Sequence, residues 1–227
     1  MKNIIIACDT LKYEILVAKD KTNNSDEIIW LDGMLHMDTD RLRTELQKEI
    51  DIDRGCDHIL LAYGNCGNAL VGLNCSHAKM VVPKTADCIS MLLNKKEDEI
   101  SRDTYFLTRG WIELEKNIVR EYSHCQEKYG DEKTKQIFKV MLNNYRNLML
   151  IDSGAYDLND YTALSKEIAK KINLNFSIKK GETTMLEKLF ANDWGNDFAI
   201  IEKDKQITMA DFELDNVSII NCVSNLM

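Results

Sequence analysis

The stretch ILLAYGNCGN, residues 59–68, is an apolar run that opens abruptly into glycine, asparagine and cysteine. IIIACDT, residues 4–10, and LMLIDSGAYD, residues 148–157, echo it. In each, a short apolar strand ends in small, polar or thiol residues, as a buried strand does where it turns into a helix. The echo is read either as an internal repeat or as the shared demand of strand-to-helix turns.

Outward from these stretches, the β-branched runs Asn3 to Ala7, Glu27 to Leu31, His58 to Ala62, Lys79 to Val82, Thr104 to Leu107 and Leu148 to Ile151 alternate with helix-period segments. That alternation predicts an α/β fold, Rossmann-like, whose parallel sheet is joined by right-handed strand-helix crossovers. The helix after the second strand is capped by Asp38 or Thr39 and carries Leu42, Leu46 and Ile50 on one face. A charged helical hairpin, broken at Gly130-Asp131, is expected near 111–146. After it a second series predicts a helix from about Asp160 to Ile172, a strand near Asn175 to Ile178, a helix from Thr183 to Ala191 and a strand at Phe198 to Ile201. The chain therefore reads as one α/β domain over 1–227, with pseudo-halves 1–110 and 147–227 joined by the hairpin.

The 227 residues carry 29 Lys+Arg against 37 Asp+Glu, a formal charge of −8 that repels nucleic acid and anionic membranes. Neither partner is expected. No apolar stretch approaches the roughly 20 residues that cross a bilayer, and the start MKNIIIACDT runs directly into a strand, so a cytoplasmic location is expected. There the seven cysteines stay reduced, and an odd number without a CxxC pair fits neither a disulfide framework nor a zinc ribbon.

In an open parallel sheet the ligand crevice lies beyond the carboxyl ends of the strands. Cys8 follows the first strand, Cys66 lies between Gly64 and Gly67 in the turn after the third, and Cys88 follows Pro83 at the start of a helix. These three thiols are expected to converge as ligands of a metal or iron-sulfur centre, with helix N-termini favouring their thiolates. Gly64 and Gly67 permit left-handed backbone and close approach of a bound group. The competing reading is that each is a small buried residue. Cys56, Cys125, Cys222 and, less clearly, Cys75 read as structural.

His36, in the loop after the second strand, lies on the crevice side and is a candidate base or ligand; a solvated loop histidine is the alternative. His58, His77 and His124 have no such placement. Asp9 and Asp87 stand beside candidate thiols, where they orient a ligand, shuttle a proton or cap a helix. Ser153 and Gly154 could offer backbone N–H groups to an anion, although no GxGxxG or phosphate loop is present.

These stretches resemble an uncharacterised family, the domain of unknown function 1638, found widely in methanogens and other anaerobes. The resemblance rests on the Cys8 strand end, Leu35-His36 with the Arg41-Leu42 helix, AYGNCGNALVGL, VVPKTADCISMLL, YFLTRGWIE and LIDSGAYD. The family pattern of a GxCGN turn, an Asp-Cys after a Val/Ile-Pro strand end and a Gly-Trp-Ile-Glu segment matches Cys66, Cys88, and Trp111 with Glu113. Ala86 stands where members often carry His, and Arg109 replaces a Pro. Because Gly110 and Trp111 start a helix directly after the Thr104 to Leu107 strand, Trp111 and Glu113 are expected to wall or cap the same crevice; the alternative is that Trp111 anchors the helical hairpin to the core. Some members neighbour corrinoid-dependent methyl-transfer systems, which implies a link to one-carbon metabolism and to a corrinoid protein or methyltransferase partner.

The expected function is an enzyme that acts on a small-molecule substrate through a [4Fe-4S] cluster held by Cys8, Cys66 and Cys88, with one iron open. His36, Asp87 and Glu113 are its candidate catalytic residues, and Trp111 lines the cofactor. The alternatives are a zinc enzyme for methyl transfer or hydrolysis, a non-catalytic metal or corrinoid carrier, and an enzyme with Cys66 as nucleophile and His36 as base.

Overall fold

The structure is a computed structural model and describes residues 1–94 and 99–212. Cys222 lies outside the described residues. The fold is α/β and mostly parallel. Strands β1 (Asn3–Cys8), β2 (Glu27–Leu31), β3 (His58–Ala62), β4 (Lys79–Pro83) and β8 (Phe198–Ile201) form one sheet in the order β2-β1-β3-β4-β8. Strands β5 (Thr104–Leu107), β6 (Asn147–Asp152) and β7 (Asn175–Lys180) form a second, fully parallel one.

Every residue of β1 is buried, as expected for an interior strand covered on both faces. Alternate residues serve opposite cores. Ile4, Ile6 and Cys8 face the layer built on α2 (Thr39–Asp51), where Leu42, Leu46 and Ile50 bury their side chains. Each such burial contributes about 1.5–3 kcal/mol. Ile5 and Ala7 face the opposite layer with Ile15 of α1 (Lys12–Lys21), Met91 of α3 (Cys88–Leu93) and Leu186 and Phe190 of α8 (Thr184–Phe190). The Asp38 carboxylate accepts from the Arg41 N–H at 3.0 Å and caps α2.

A third core joins the second sheet to its helices. Leu107, Leu148 and Leu150 meet Tyr122 of α5 (Ile118–Tyr129), Phe138 of α6 (Asp131–Met141) and Ile168 of α7 (Leu158–Lys171). The expected hairpin is α5 and α6, reversing at Gly130 with φ 75°, and it forms the crossover from β5 to β6. The short α4 (Arg109–Glu113) precedes it.

The expected α/β fold with strand-helix crossovers is present, and its strands divide between two sheets, with β8 returning to pair antiparallel with β4. Although it precedes residue 110, β5 pairs with β6 and so lies in the sheet of the later strands. Ile151 of β6 packs in the same core as α1 and α8, which joins the two sheets through their helices. Among the described residues, no helix is long and apolar enough to cross a membrane.

Candidate metal centre at the strand switch point

The chain leaves β1 toward β2 on one side, while β3 pairs on the other. Neighbouring loops diverge at such a reversal and leave a crevice beyond the strand ends. Cys8 ends β1, Cys66 lies four residues past β3, and Cys88 begins α3 after β4.

Close backbone contacts hold the three loops together. A Cβ on Gly64 would lie 2.5 Å from Asp87 Cα, so only glycine lets the β3 loop rest against the residue before Cys88. Beside that contact, Asn65 N donates to Thr85 O and Cys66 N to Ala86 O, each at 2.8 Å. Cys66 itself adopts φ 47°, a left-handed conformation unusual for a residue with a side chain. Of the two neighbouring glycines expected to need such backbone, Gly67 has it, with φ 70°, whereas Gly64 serves close approach.

The thiols have close polar neighbours. The backbone of Gly64 and Cys88 lies near the Cys66 thiol and opposes part of the effect of its burial. Cys8 Sγ lies 2.9 Å from Thr10 Oγ1. The Trp111 side chain lies beside Cys88, and its ring stands edge-on to His36 at 5.6 Å. His36 Nδ1 is 3.2 Å from Gly33 O and 3.6 Å from Cys8 Sγ. A proton on Nδ1 donated to Gly33 leaves the Nε2 lone pair free, and Nε2 is buried without a partner.

Electrostatics overturns one expectation. Burial pushes the Cys8 and Cys66 thiols up to about 12 and Cys88 well above its usual range. Helix N-termini do not make these groups thiolates in the metal-free protein, because desolvation outweighs the dipole and the hydrogen bonds. Mutual repulsion adds to it: Cys8 raises Cys66, and both raise Cys88. Asp87 also acts on Cys66 and Cys88, while its Oδ1 caps α3 by accepting from Ser90 N at 2.7 Å. Burial lowers the pKa of His36, which favours the neutral ring.

Tyr63, which sequence reasoning missed, lies among these groups. It is 1% exposed, its hydroxyl has no hydrogen-bond partner, and ionisation of Cys8 or Cys66 would act directly on it. The signal is present in the sequence, since Ile59, Leu61 and Tyr63 alternate onto the face that holds Cys8. Asn65 Oδ1 and Thr85 Oγ1, on the same loops, are also buried and unpartnered. Leaving a buried polar atom unpaired costs about 1–3 kcal/mol.

The remaining predicted residues lie elsewhere. Glu113 accepts from Tyr13 Oη, from Tyr161 Oη at 2.7 Å and from Arg109 Nε at 2.8 Å. It lines a cleft of about 340 Å³ with Asp9, Lys12, Tyr13 and Trp30. Residues two apart on a helix point to different sides, so α4 turns Trp111 toward the thiols and Glu113 toward this cleft. Ser153 Oγ donates to buried Glu14 at 2.7 Å, and the Gly154 N–H is taken up by Asp152 at 3.2 Å. Cys56 and Cys75 are a separate buried pair, Cys75 lying 3.6 Å from His77 Nδ1, and Cys125 packs in the helical core.

The donor set is three soft thiols with a neutral imidazole nitrogen nearby, which suits iron-sulfur or zinc rather than hard cations. Among the described residues, no three His, Cys, Asp or Glu side chains stand in the geometry of one bound ion.

Fold and thiols together define a class, a Rossmann-like α/β protein with three cysteines gathered at its strand switch point. Residues 30–190 match the family described as protein of unknown function (DUF1638), and the chain belongs to it. The matched stretch includes His36, Cys66, Cys88, Trp111 and Glu113, and Cys8 precedes it. No curated protein and no solved structure matches the chain.

Proposed function

We propose that this protein is a [4Fe-4S]-dependent enzyme acting on a small molecule, with Cys8, Cys66 and Cys88 as the cluster's ligands. The observation that carries this reading is the placement of Cys8, Cys66 and Cys88 after neighbouring strand ends, beside unpartnered His36 Nε2 and Tyr63 Oη. A cluster bound by three cysteines keeps one iron open as a Lewis acid for a ligand.

The protein's own residues have distinct tasks. The Gly64 turn, packed against the backbone of Asp87, holds the Cys66 and Cys88 loops together, and Trp111 lies beside Cys88. The buried ring of Tyr63 and the indole of Trp111 keep bulk water from the sulfurs. His36, held through Nδ1 on Gly33, offers Nε2 to take a proton. Asp87 is a positioning residue that starts α3 at Cys88.

Metal analysis of anaerobically purified protein tests this reading. Iron with acid-labile sulfide and a visible absorbance that air bleaches is the expected result. One equivalent of zinc without sulfide transfers the site to zinc chemistry. Thiols that alkylate freely in metal-free anaerobic preparations overturn both metal readings in favour of a cysteine nucleophile.

A further inference from the structure

Tyr63 follows β3 by one residue, and the strand's alternation turns its ring inward beside Cys8. The side chain is 1% exposed, stacks at 6.5 Å on His36, lies within electrostatic reach of Cys8, Cys66 and Asp9, and has no hydrogen-bond partner at its hydroxyl. A phenol at neutral pH is a hydrogen-bond donor, and a His36 ring bonded through Nδ1 to Gly33 O leaves Nε2 as an acceptor.

The charges around the site define its class. The groups acting most on the three thiols and on Tyr63 are carboxyls and other thiols, among them Asp9 and Asp87. No lysine or arginine is among them. Arg109 is occupied by Glu113 and lies 3.6 Å over the Tyr13 ring, and Lys12 faces Asp9 at the neighbouring cleft. A carboxylate or phosphate entering this site would meet negative charge without a compensating cation.

We propose that Tyr63 donates its phenolic hydrogen to an uncharged, oxygen-bearing ligand, an alcohol, carbonyl or amide, bound among Cys8, Cys66 and Cys88. The proposal rests on the cluster reading above and names the substrate class of that site. The ligand's oxygen accepts from Tyr63 Oη, and a hydroxyl or amide hydrogen on the same molecule is donated to His36 Nε2.

Full-length protein, prepared anaerobically with its iron, is titrated with acetamide, acetate or phosphate while the resonance spectrum of the reduced centre is followed. Acetamide should shift the spectrum saturably, whereas acetate and phosphate should not. Tyr63→Phe should keep the iron content and unfold at no lower a temperature when metal-free, because it removes an unpaired buried hydroxyl. It should need about tenfold more acetamide for the same shift. Equal acetamide affinity in Tyr63→Phe, preference for acetate or phosphate, or no response to acetamide in the iron-loaded wild type overturns the proposal and leaves the cluster reading standing. A changed reduction potential in ligand-free Tyr63→Phe with unchanged acetamide affinity assigns the hydroxyl to a cluster sulfur and also overturns it. Wild-type protein without iron and sulfide sinks the cluster reading, and this proposal with it.

Discussion

Gly110 rests on the carbonyl of Thr10 so closely that a Cβ would stand 1.9 Å from that oxygen. The contact ties α4, which carries Trp111, to the turn that follows Cys8. With Gly64 against Asp87, it sets the spacing of all three thiol-bearing loops.

Gly64→Ala should therefore spread the Cys66 and Cys88 loops. Overpacking against backbone costs about 1–3 kcal/mol. The variant should unfold at lower denaturant concentration than wild type and retain less iron. Gly72→Ala offers a control: φ is also positive there, at 94°, but no atom lies within 4 Å of the position its Cβ would take. It should lose stability through backbone strain yet keep its iron.

The buried thiols predict an alkaline limit for the metal-free protein. Their folded pKa values exceed the ordinary 9.0, with Cys8 and Cys66 raised to about 12, so the folded state favours the protonated form. That contribution is complete below pH 9 and is lost as pH rises from 9 toward 12. Reduced, metal-free protein should lose unfolding free energy across this window, and Cys8→Ser should lose less. Because the ligands must shed their protons, metal loading should also release protons and strengthen with pH.

Glu14 is fully buried beside Ser153, with Oε2 unpartnered, and desolvation raises its pKa. A raised carboxyl contributes its stability below the unfolded value near 4.5 and loses it as pH rises through the folded value. Glu14→Gln keeps a carbonyl oxygen for Ser153 and cannot ionise. Its stability relative to wild type should grow as pH rises above about 4.5, as denaturation at pH 5 and pH 8 will show.

Trp111 and Glu113 should separate functionally. Trp111→Ala removes the ring that packs edge-on to His36 and part of the wall over the thiols, so its centre should bleach faster in air. Glu113→Gln weakens a partly exposed ion pair with Arg109, worth about 0–1 kcal/mol, and should leave iron content and bleaching rate unchanged. Absorbance decay of the two variants under air makes the comparison.

Much of this geometry is legible in the chain itself. Apolar runs that end in Cys8 and before Cys66 announce strand ends, and strand ends in a parallel sheet share one edge. What local pattern leaves open is which strands pair. Thr104 to Leu107 reads the same whether it extends the first sheet or starts a second, and the helices around Phe138 and Ile168 decide for the second. The β8 direction likewise follows from where α8 delivers the chain, since its apolar run is compatible with either orientation. Thiol ionisation is misread from sequence because helix starts are visible there, whereas the depth of burial that outweighs them is not. Tyr63 escapes notice because its inward alternation marks a core residue, and only the structure shows its hydroxyl unpaired.

The central claim is that Cys8, Cys66 and Cys88 act together as ligands, and serine substitution under anaerobic conditions tests it most directly. Serine replaces a soft sulfur with a hard oxygen at nearly constant size. Cys8→Ser, Cys66→Ser and Cys88→Ser should each lose most of the bound iron and sulfide while remaining folded, and Cys125→Ser should match wild type. Wild-type iron content in any of the first three, or its loss in Cys125→Ser, would contradict the account.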